Sequence, residues 1–416
     1  MKKAFKSSLS IVLSLLLLLP LTIGASAKTA EVPLSFWVAS DIHYNPQSAL
    51  GPIEEQNNFP GDPLYAHVNT KGMLTYEADA IIYEFLSRFE KSSAKYLLIA
   101  GDLSEEGHWD QHLGIAKILR EFKKRTGKKI FLIPGNHDIR TSDSGNRLNL
   151  SDFLNVYADI GYDETLARHK GSASYTAELD GGYRLIAIDA CIYREDGSNI
   201  SPDLLAWIEA QVKQAKIDGK KLLGMVHHSL LDHFGIQSIS GNLLNISDAR
   251  NNATKFADWG IKYVLTGHVH ANDISMAVSE KGNRIFDIET DSLITYPNGY
   301  RTITFSDSAV KVETDYIKAI DTKYLMKGYN KAQLDLIRAD FPAYSLGCFK
   351  AGLNSVIVTM PDLTKKIANS LKIEAGTKGY EALNMAMNTL ADGLNLPLYD
   401  KKGTPAIDSV EELAAK

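Results

Sequence analysis

The sequence predicts a mixed α/β chain, a largely parallel sheet with helices packed on it, followed by a small helical C-terminal domain. Three observations predict this. Short apolar runs suited to strands alternate with stretches of helical apolar spacing between positions 34 and 133. Five blocks rich in Asp, Asn and His each follow such an apolar run: Asp41-Ile42-His43, Gly101-Asp102, Gly135-Asn136-His137-Asp138, His227-His228 and Gly267-His268-Val269-His270. After about residue 320 the pattern turns helical and carries no such block.

Residues 1–27 stand outside the fold. Lys2, Lys3 and Lys6 give a positive start, Ile11–Leu19 is apolar apart from Ser14, and Ala25-Ser26-Ala27 is a small-x-small cleavage site. The run is short beside the ~20 residues of a membrane-spanning helix, so a signal peptide and an extracytoplasmic, secreted chain are expected. Leu34–Ser40 reads as the first buried strand. A long Pro-, Gly-, Asn- and Gln-rich loop follows over 44–70, beside the ligand-type residues. Leu74–Phe89 has helical spacing, Tyr96–Ala100 is a strand, Trp109–Phe122 a helix and Ile130–Ile133 a strand. Ser172–Ile188 reads as a hairpin around Asp180-Gly181-Gly182. Ser201-Pro202-Asp203 opens a helix, with proline just inside its start. Leu222–Val226 and Tyr263–Thr266 are further strands. Residues 272–315 read as a run of antiparallel strands turning near Lys281-Gly282-Asn283, Pro297-Asn298-Gly299 and Asp307-Ser308. From Tyr324 onward the spacing is helical, as at Leu334, Leu336, Ile337 and again at Leu383, Met385, Ala386, Leu390. The expected organisation is a leader over 1–27, a large domain over 28–318 and a helical domain over 319–416.

Composition narrows the function classes. Removing three lysines and no acids with the leader takes the formal net charge from −5 to −8. A chain so charged is not built to coat nucleic acid or an anionic membrane. After the leader no segment is long and apolar enough to span a membrane. Cys191 and Cys348 lie far apart in sequence and have no neighbouring base, which argues against a nucleophile. Cys191 ends an apolar run and reads as a small buried side chain.

The five blocks carry the chemistry. Two divalent ions held close together need ligands from several strands and one group that serves both. Asp102 is the candidate bridge, and Gly101 lets the backbone turn so that its carboxylate faces a cleft. Asp41 and His43 are two apart, so at a strand end they point to one side, as do His268 and His270. Asn136 offers an amide oxygen and His227 an imidazole. Mixed nitrogen and oxygen donors suit Mn, Fe or Zn better than Ca. A pair of such ions acidifies a shared water and neutralises charge on a phosphoryl oxygen.

The order Asp-x-His, Gly-Asp, Gly-Asn-His-Asp, His, Gly-His-x-His resembles that of the calcineurin-like metallophosphoesterases, over roughly residues 33–315. The resemblance implies a four-layer αββα sandwich of two sheets flanked by helices, with two divalent metal ions. It implies one ion on Asp41, His43, Asp102 and His270, and the other on Asp102, Asn136, His227 and His268. It also implies that His137 contacts the phosphate and serves the leaving oxygen, oriented by Asp138, while a hydroxide shared by the metals attacks phosphorus. Gly101-Asp102-Leu103-Ser104-Glu105-Glu106-Gly107 resembles the class III cyclic-nucleotide phosphodiesterase branch. That branch often has proline two residues after the second-metal histidine, and here Ser229 stands there. Purple acid phosphatases carry a tyrosine where Glu105 stands. The 5′-nucleotidases carry a large C-terminal substrate domain, which the helical tail does not supply.

Other polar residues divide between site and scaffold. His228 is a candidate substrate contact. His233 reads as a helix cap or the start of a substrate loop, and His108 is balanced between the two roles. His67 and His169 read as surface residues, Glu105 and Glu106 as a solvated helix start, and Thr290-Asp291-Ser292-Leu293 as a turn. The expected function is an exported dinuclear phosphohydrolase, chiefly a phosphodiesterase acting on a small-molecule or polymer phosphoester. A phosphomonoesterase or nucleotidase built on the same centre is the alternative within enzymes. A non-catalytic exported module that binds metal or a surface polymer is the alternative outside them, though such a module has no need of His137.

Overall fold

The computed structural model describes residues 33–58, 63–69, 71–140, 145–193, 197–234, 237, 244–306 and 309–352, with positions 374, 378 and 381. The expected leader over 1–27, the turn at 307–308 and the helical spacing around 383–390 lie outside them. Among the described residues no helix is long and apolar enough to cross a membrane.

Among the described residues, twelve strands form two sheets. The first has the order β12-β11-β1-β2-β3, from β1 (Leu34–Ala39), β2 (Tyr96–Ile99), β3 (Lys129–Leu132), β11 (Gly299–Phe305) and β12 (Val310–Tyr316). The second has the order β4-β5-β6-β7-β8-β10-β9, from β4 (Thr165–Arg168), β5 (Tyr175–Leu179), β6 (Tyr183–Ile188), β7 (Lys221–Val226), β8 (Ile261–Thr266), β9 (Asp273–Val278) and β10 (Arg284–Glu289). β1, β2 and β3 run parallel, as do β6, β7, β8 and β10, while the outer strands pair antiparallel. The helices used below are α1 (Ala78–Lys91), α2 (Trp109–Thr126), α3 (Leu150–Val156), α4 (Pro202–Ile217), α5 (Ala249–Asp258) and α6 (Lys331–Ala339).

The period-2 alternation of strand side chains sorts the layers. In β6, Leu185 and Ala187 join the core shared with the first sheet, while Ile186 and Ile188 join a second core beneath α4 and α5. β7 divides likewise, Leu223 and Met225 to one side and Leu222 and Val226 to the other. In β1, Trp37 packs on Phe85 and Phe89 of α1, and Phe36 stacks on Phe305, which meets Tyr183 and Tyr263 of the second sheet. Helices therefore cover the outer faces and the sheets pack face to face, giving the four-layer αββα sandwich.

Local sequence explains the helix ends. Ser201 accepts a hydrogen bond from the Leu204 N–H, with Pro202 at the first position, so α4 starts where its cap is placed. Its buried residues, Leu204, Ile208, Val212 and Ala215, follow helical spacing. α2 ends at Gly127, whose φ of 70° closes the last turn behind Lys123, Lys124 and Arg125.

Three departures from expectation have physical causes. The stretch 272–315 is not one antiparallel run: β10 joins β8 in parallel, and the chain crosses at 290–298 so that β11 pairs with β1 in the other sheet. α3, α5 and β4 lie where apolar spacing predicts no element. α5 buries only Asn252, Ala253, Phe256 and Ala257 from a polar sequence, and β4 is an edge strand with no fully buried residue. His67 is buried rather than exposed, because it faces Glu77 at 3.2 Å inside a polar knot. The described part of the C-terminal segment packs into the main core through Ile337, Phe341, Tyr344 and Cys348. Neither Cys191 nor Cys348 is in a disulfide.

Candidate metal centre

All five blocks lie just past the carboxyl ends of parallel strands: Asp41 and His43 after β1, Asp102 after β2, Asn136 to Asp138 after β3, His227 and His228 after β7, His268 and His270 after β8. In open parallel sheets that edge is where side chains from several strands converge. The backbone there is bent sharply. Seven described non-glycine residues have left-handed φ, and five are Asp41 (50°), His43 (42°), Asp102 (48°), His268 (80°) and His270 (52°). Such conformations each cost on the order of 1 kcal/mol or more and persist where the surroundings fix them. Here hydrogen bonds fix them: Asp41 N–H to Gly101 O at 3.1 Å, His43 N–H to Asp102 O at 2.9 Å, His268 N–H to the Asp41 carboxylate at 2.9 Å, and the Ser292 hydroxyl to Asp41 O at 2.8 Å. Gly101 has φ 101°, and a Cβ there would lie 2.5 Å from His227 Nδ1, so glycine is needed for both reasons.

The side chains gather into two donor sets. In the first, His43 Nε2 lies 3.2 Å from His270 Nε2, 3.7 Å from Asp41 Oδ1 and 3.7 Å from Asp102 Oδ2, and His270 Nε2 lies 3.4 Å from Asp41 Oδ1. In the second, His227 Nε2 lies 3.1 Å from both Asp102 Oδ2 and Asn136 Oδ1. His268 stands edge-on to the His227 ring, with centroids 5.0 Å apart. One oxygen, Asp102 Oδ2, faces both sets. The other, Oδ1, accepts the His137 N–H at 2.8 Å and fixes the carboxylate's rotation. Asp102 would therefore present Oδ2 to both sets if ions were bound.

The residues fit divalent cations. Asp41 Oδ1 is buried with no hydrogen-bond partner, and two imidazole nitrogens face each other beside it. Burial opposes ionisation of Asp41, yet His270 and His43 hold its carboxyl well below the usual range. Burial likewise opposes ionisation of Asp102, and His227 and His137 outweigh it. Burial pushes His43 down, but Asp41 and Glu105 raise it to about 10; burial pushes His227 down, and Asp102 raises it to about 9. Carboxylates that stay charged and imidazoles drawn toward a positive state describe a pocket that calls for positive charge. His227 Nδ1 donates to Ala100 O at 2.8 Å, which leaves Nε2 as the lone-pair donor.

His137 stands at the rim of the first set, its ring 4.8 Å from that of His43. Its Nδ1 donates to Glu105 O at 2.5 Å. Asp138 does not orient this ring. Its buried carboxylate accepts from the Leu103, Ser104 and Gly135 N–H groups and the Ser104 hydroxyl at 2.8–3.1 Å, because the two turns converge on it. Asp138 therefore ties the Asp102 turn to the Asn136 turn.

Several residues differ from their expected roles. Glu105 is not solvated: Oε2 lies 3.1 Å from His43 Nδ1 and Oε1 is 3.0 Å from Lys71 Nζ. His228 is fully buried and stacked on His268 at 4.0 Å, with neither ring nitrogen hydrogen-bonded. His233 is buried, its Nδ1 3.0 Å from Asp273, above a buried pair, Asp287 and Glu289. Those two carboxylates accept from Leu230 N, Leu231 N, Thr266 Oγ1, Ser229 Oγ and Val269 N, and so hold the turns that carry His227, His268 and His270. His108 caps α2, and His169 pairs with Asp203 at 2.9 Å. Thr290, Asp291 and Ser292 are buried, and Ser292 supports Asp41 as above.

The family model for calcineurin-like phosphoesterases matches residues 34–272. No curated protein matches the sequence. Among solved structures, a dimetal phosphatase from Danio rerio is similar at 11% identity, covering 68% of this chain and 97% of that one, with a TM-score of 0.48. A purple acid phosphatase from yellow lupin is similar at 11% identity, covering 69% and 52%, with a TM-score of 0.43. A putative 5′-nucleotidase from Staphylococcus aureus is similar at 14% identity, covering 73% and 57%, with a TM-score of 0.42.

Proposed function

The chain belongs to the calcineurin-like phosphoesterase family, and from that premise we propose that it is an exported, metal-dependent phosphodiesterase. The observation that carries the metal-dependent chemistry is Asp102 Oδ2, which faces His43 on one side and His227 on the other. Asp41, His43, Asp102 and His270 would hold one ion, and Asp102, Asn136, His227 and His268 the second. When bound, two divalent ions stabilise charge on phosphoryl oxygens and acidify water at neutral pH; Mn, Fe or Zn suit these donors.

The protein's own groups supply the rest. Hydrogen bonds to the Asp41 and Asp102 backbones fix where each carboxylate points before any ligand arrives, so little reorganisation remains for the reaction. His137 Nδ1 is committed to a carbonyl, which can only accept, so Nδ1 keeps its proton and Nε2 is the reactive atom. As the P–O bond to the leaving group breaks, Nε2 gives the departing oxygen a proton that it takes up from solvent; burial lowers the pKa of the ring, which makes that proton easier to release. Diester preference draws support from the Gly101–Gly107 segment, with Glu105 in the place of a tyrosine. Export draws support from the pattern over residues 1–27.

The test compares kcat/KM for the diester and the monoester of one aryl alcohol, on mature protein loaded with Mn²⁺. Diester hydrolysis faster by at least tenfold, about 1.4 kcal/mol of transition-state preference, supports the proposal. The reverse ratio makes the chain a phosphomonoesterase on the same centre.

A further inference from the structure

We infer that the C-terminal segment acts as a positioning clamp on the metal centre, transmitted through Lys71 and Glu105 to His43. The inference rests on the metal-ligand reading of His43 given above. It starts from an unusual pair of atoms. His43 Nδ1 and Glu105 Oε2 are both buried and lack any hydrogen-bond partner, yet they stand 3.1 Å apart, paired by charge but not aligned as a hydrogen bond. A histidine that gives Nε2 to a metal is best oriented by a carboxylate on Nδ1. Glu105 is the only carboxylate at Nδ1 among the described contacts of His43, so its placement decides how His43 faces the first donor set.

Glu105 is in turn held by Lys71, whose Nζ lies 3.0 Å from Oε1. Lys71 sits in a tight turn. Asn69 Oδ1 accepts from both the Lys71 and Met73 N–H groups at 3.0 Å, and the Gly72 N–H bonds to Asn69 O at 3.0 Å. The turn lies flat on the helical stretch 341–352: a Cβ on Gly72 would be 3.0 Å from Phe349 Cα and 3.1 Å from Phe349 O. The chain on either side of the turn is fastened to the same C-terminal elements. Tyr329 and Tyr344 both donate to Glu77 Oε1, at 2.7 and 2.6 Å, and His67 reaches the same oxygen at 3.2 Å. Gln333 on α6 donates to Leu64 O at 3.0 Å. The C-terminal elements thus grip residues 64–77 on both sides of Lys71. A segment that supplies no ligand among the described residues therefore sets the position of one ligand's partner.

Calorimetric titration of metal-free mature protein with Mn²⁺ tests this, because it reads binding rather than turnover. Glu105→Gln is expected to weaken one of the two ions about 10- to 100-fold, the usual cost of losing such an outer partner, and to leave the other unchanged. Tyr329→Phe/Tyr344→Phe, which keeps both rings, is expected to weaken the same ion severalfold in the wild-type background and to have no further effect in Glu105→Gln. Lys71→Met, at a half-exposed position that tolerates substitution, should reproduce the Tyr pair. Wild-type isotherms for Glu105→Gln would overturn the inference. So would a Tyr pair that lowers the unfolding temperature without moving either metal affinity, or one that weakens both ions equally. Normal two-ion binding with no phosphoester turned over would count against the proposed function and leave the clamp standing.

Discussion

At the scale of the residue, the site is defined by which atoms are left without partners. Asp102 splits its duties between a backbone N–H on Oδ1 and two facing imidazoles on Oδ2. His137 shows the same division, with Nδ1 fixed and Nε2 available. Proton delivery matters most when the leaving oxygen is a strong base. His137→Ala should therefore lower kcat about 10²- to 10⁴-fold on an alkyl diester and far less on a p-nitrophenyl ester, with metal content unchanged. Equal losses on both substrates would assign His137 to binding instead. The metal-type residues were legible in the sequence because Asp, Asn and His recur just past five separate apolar runs, where strand ends converge. Glu105 was not, because an acid after a turn looks the same whether it faces water or a histidine.

At the scale of the element, strand ends do the gathering and buried carboxylates hold the turns. Asp138 fastens the turns after β2 and β3, and Asp287 with Glu289 fastens those after β7 and β8. Hydrophobic alternation and caps predicted most elements, among them the hairpin at 175–188 and the start of α4. They failed where an element buries little, as in β4 and α5, and at β10 and β11, which adjoin in sequence but belong to different sheets. Glu77 offers an element-scale test of C-terminal docking. Burial opposes its ionisation, but His67, Tyr344 and Tyr329 hold its carboxyl below the ordinary value. A depressed folded-state pKa adds stability that is complete above the unfolded value and lost as pH falls through the folded one. Glu77→Gln should therefore cost about 1–3 kcal/mol near pH 7. Its deficit against wild type in thermal unfolding should shrink as pH drops below about 4. A deficit that stays constant with pH would show that Glu77 is not ionised in the fold.

At the scale of the whole molecule, two sheets meet so that the carboxyl ends of β1, β2 and β3 from one and β7 and β8 from the other share a single edge. No single sheet supplies a complete donor set: Asp41, His43, Asp102 and Asn136 come from the first, His227, His268 and His270 from the second. The sandwich itself was readable from the motif order, whereas the sheet crossing at 290–298 and the grip of the C-terminal segment depend on contacts between residues more than two hundred positions apart. The central claim is that two ions share Asp102. Metal content of the protein, measured by elemental analysis after dialysis against Mn²⁺, tests it most directly. Two ions per wild-type chain and fewer than one in a folded Asp102→Asn variant are predicted. Two ions retained in Asp102→Asn, or none in wild type, would contradict the account.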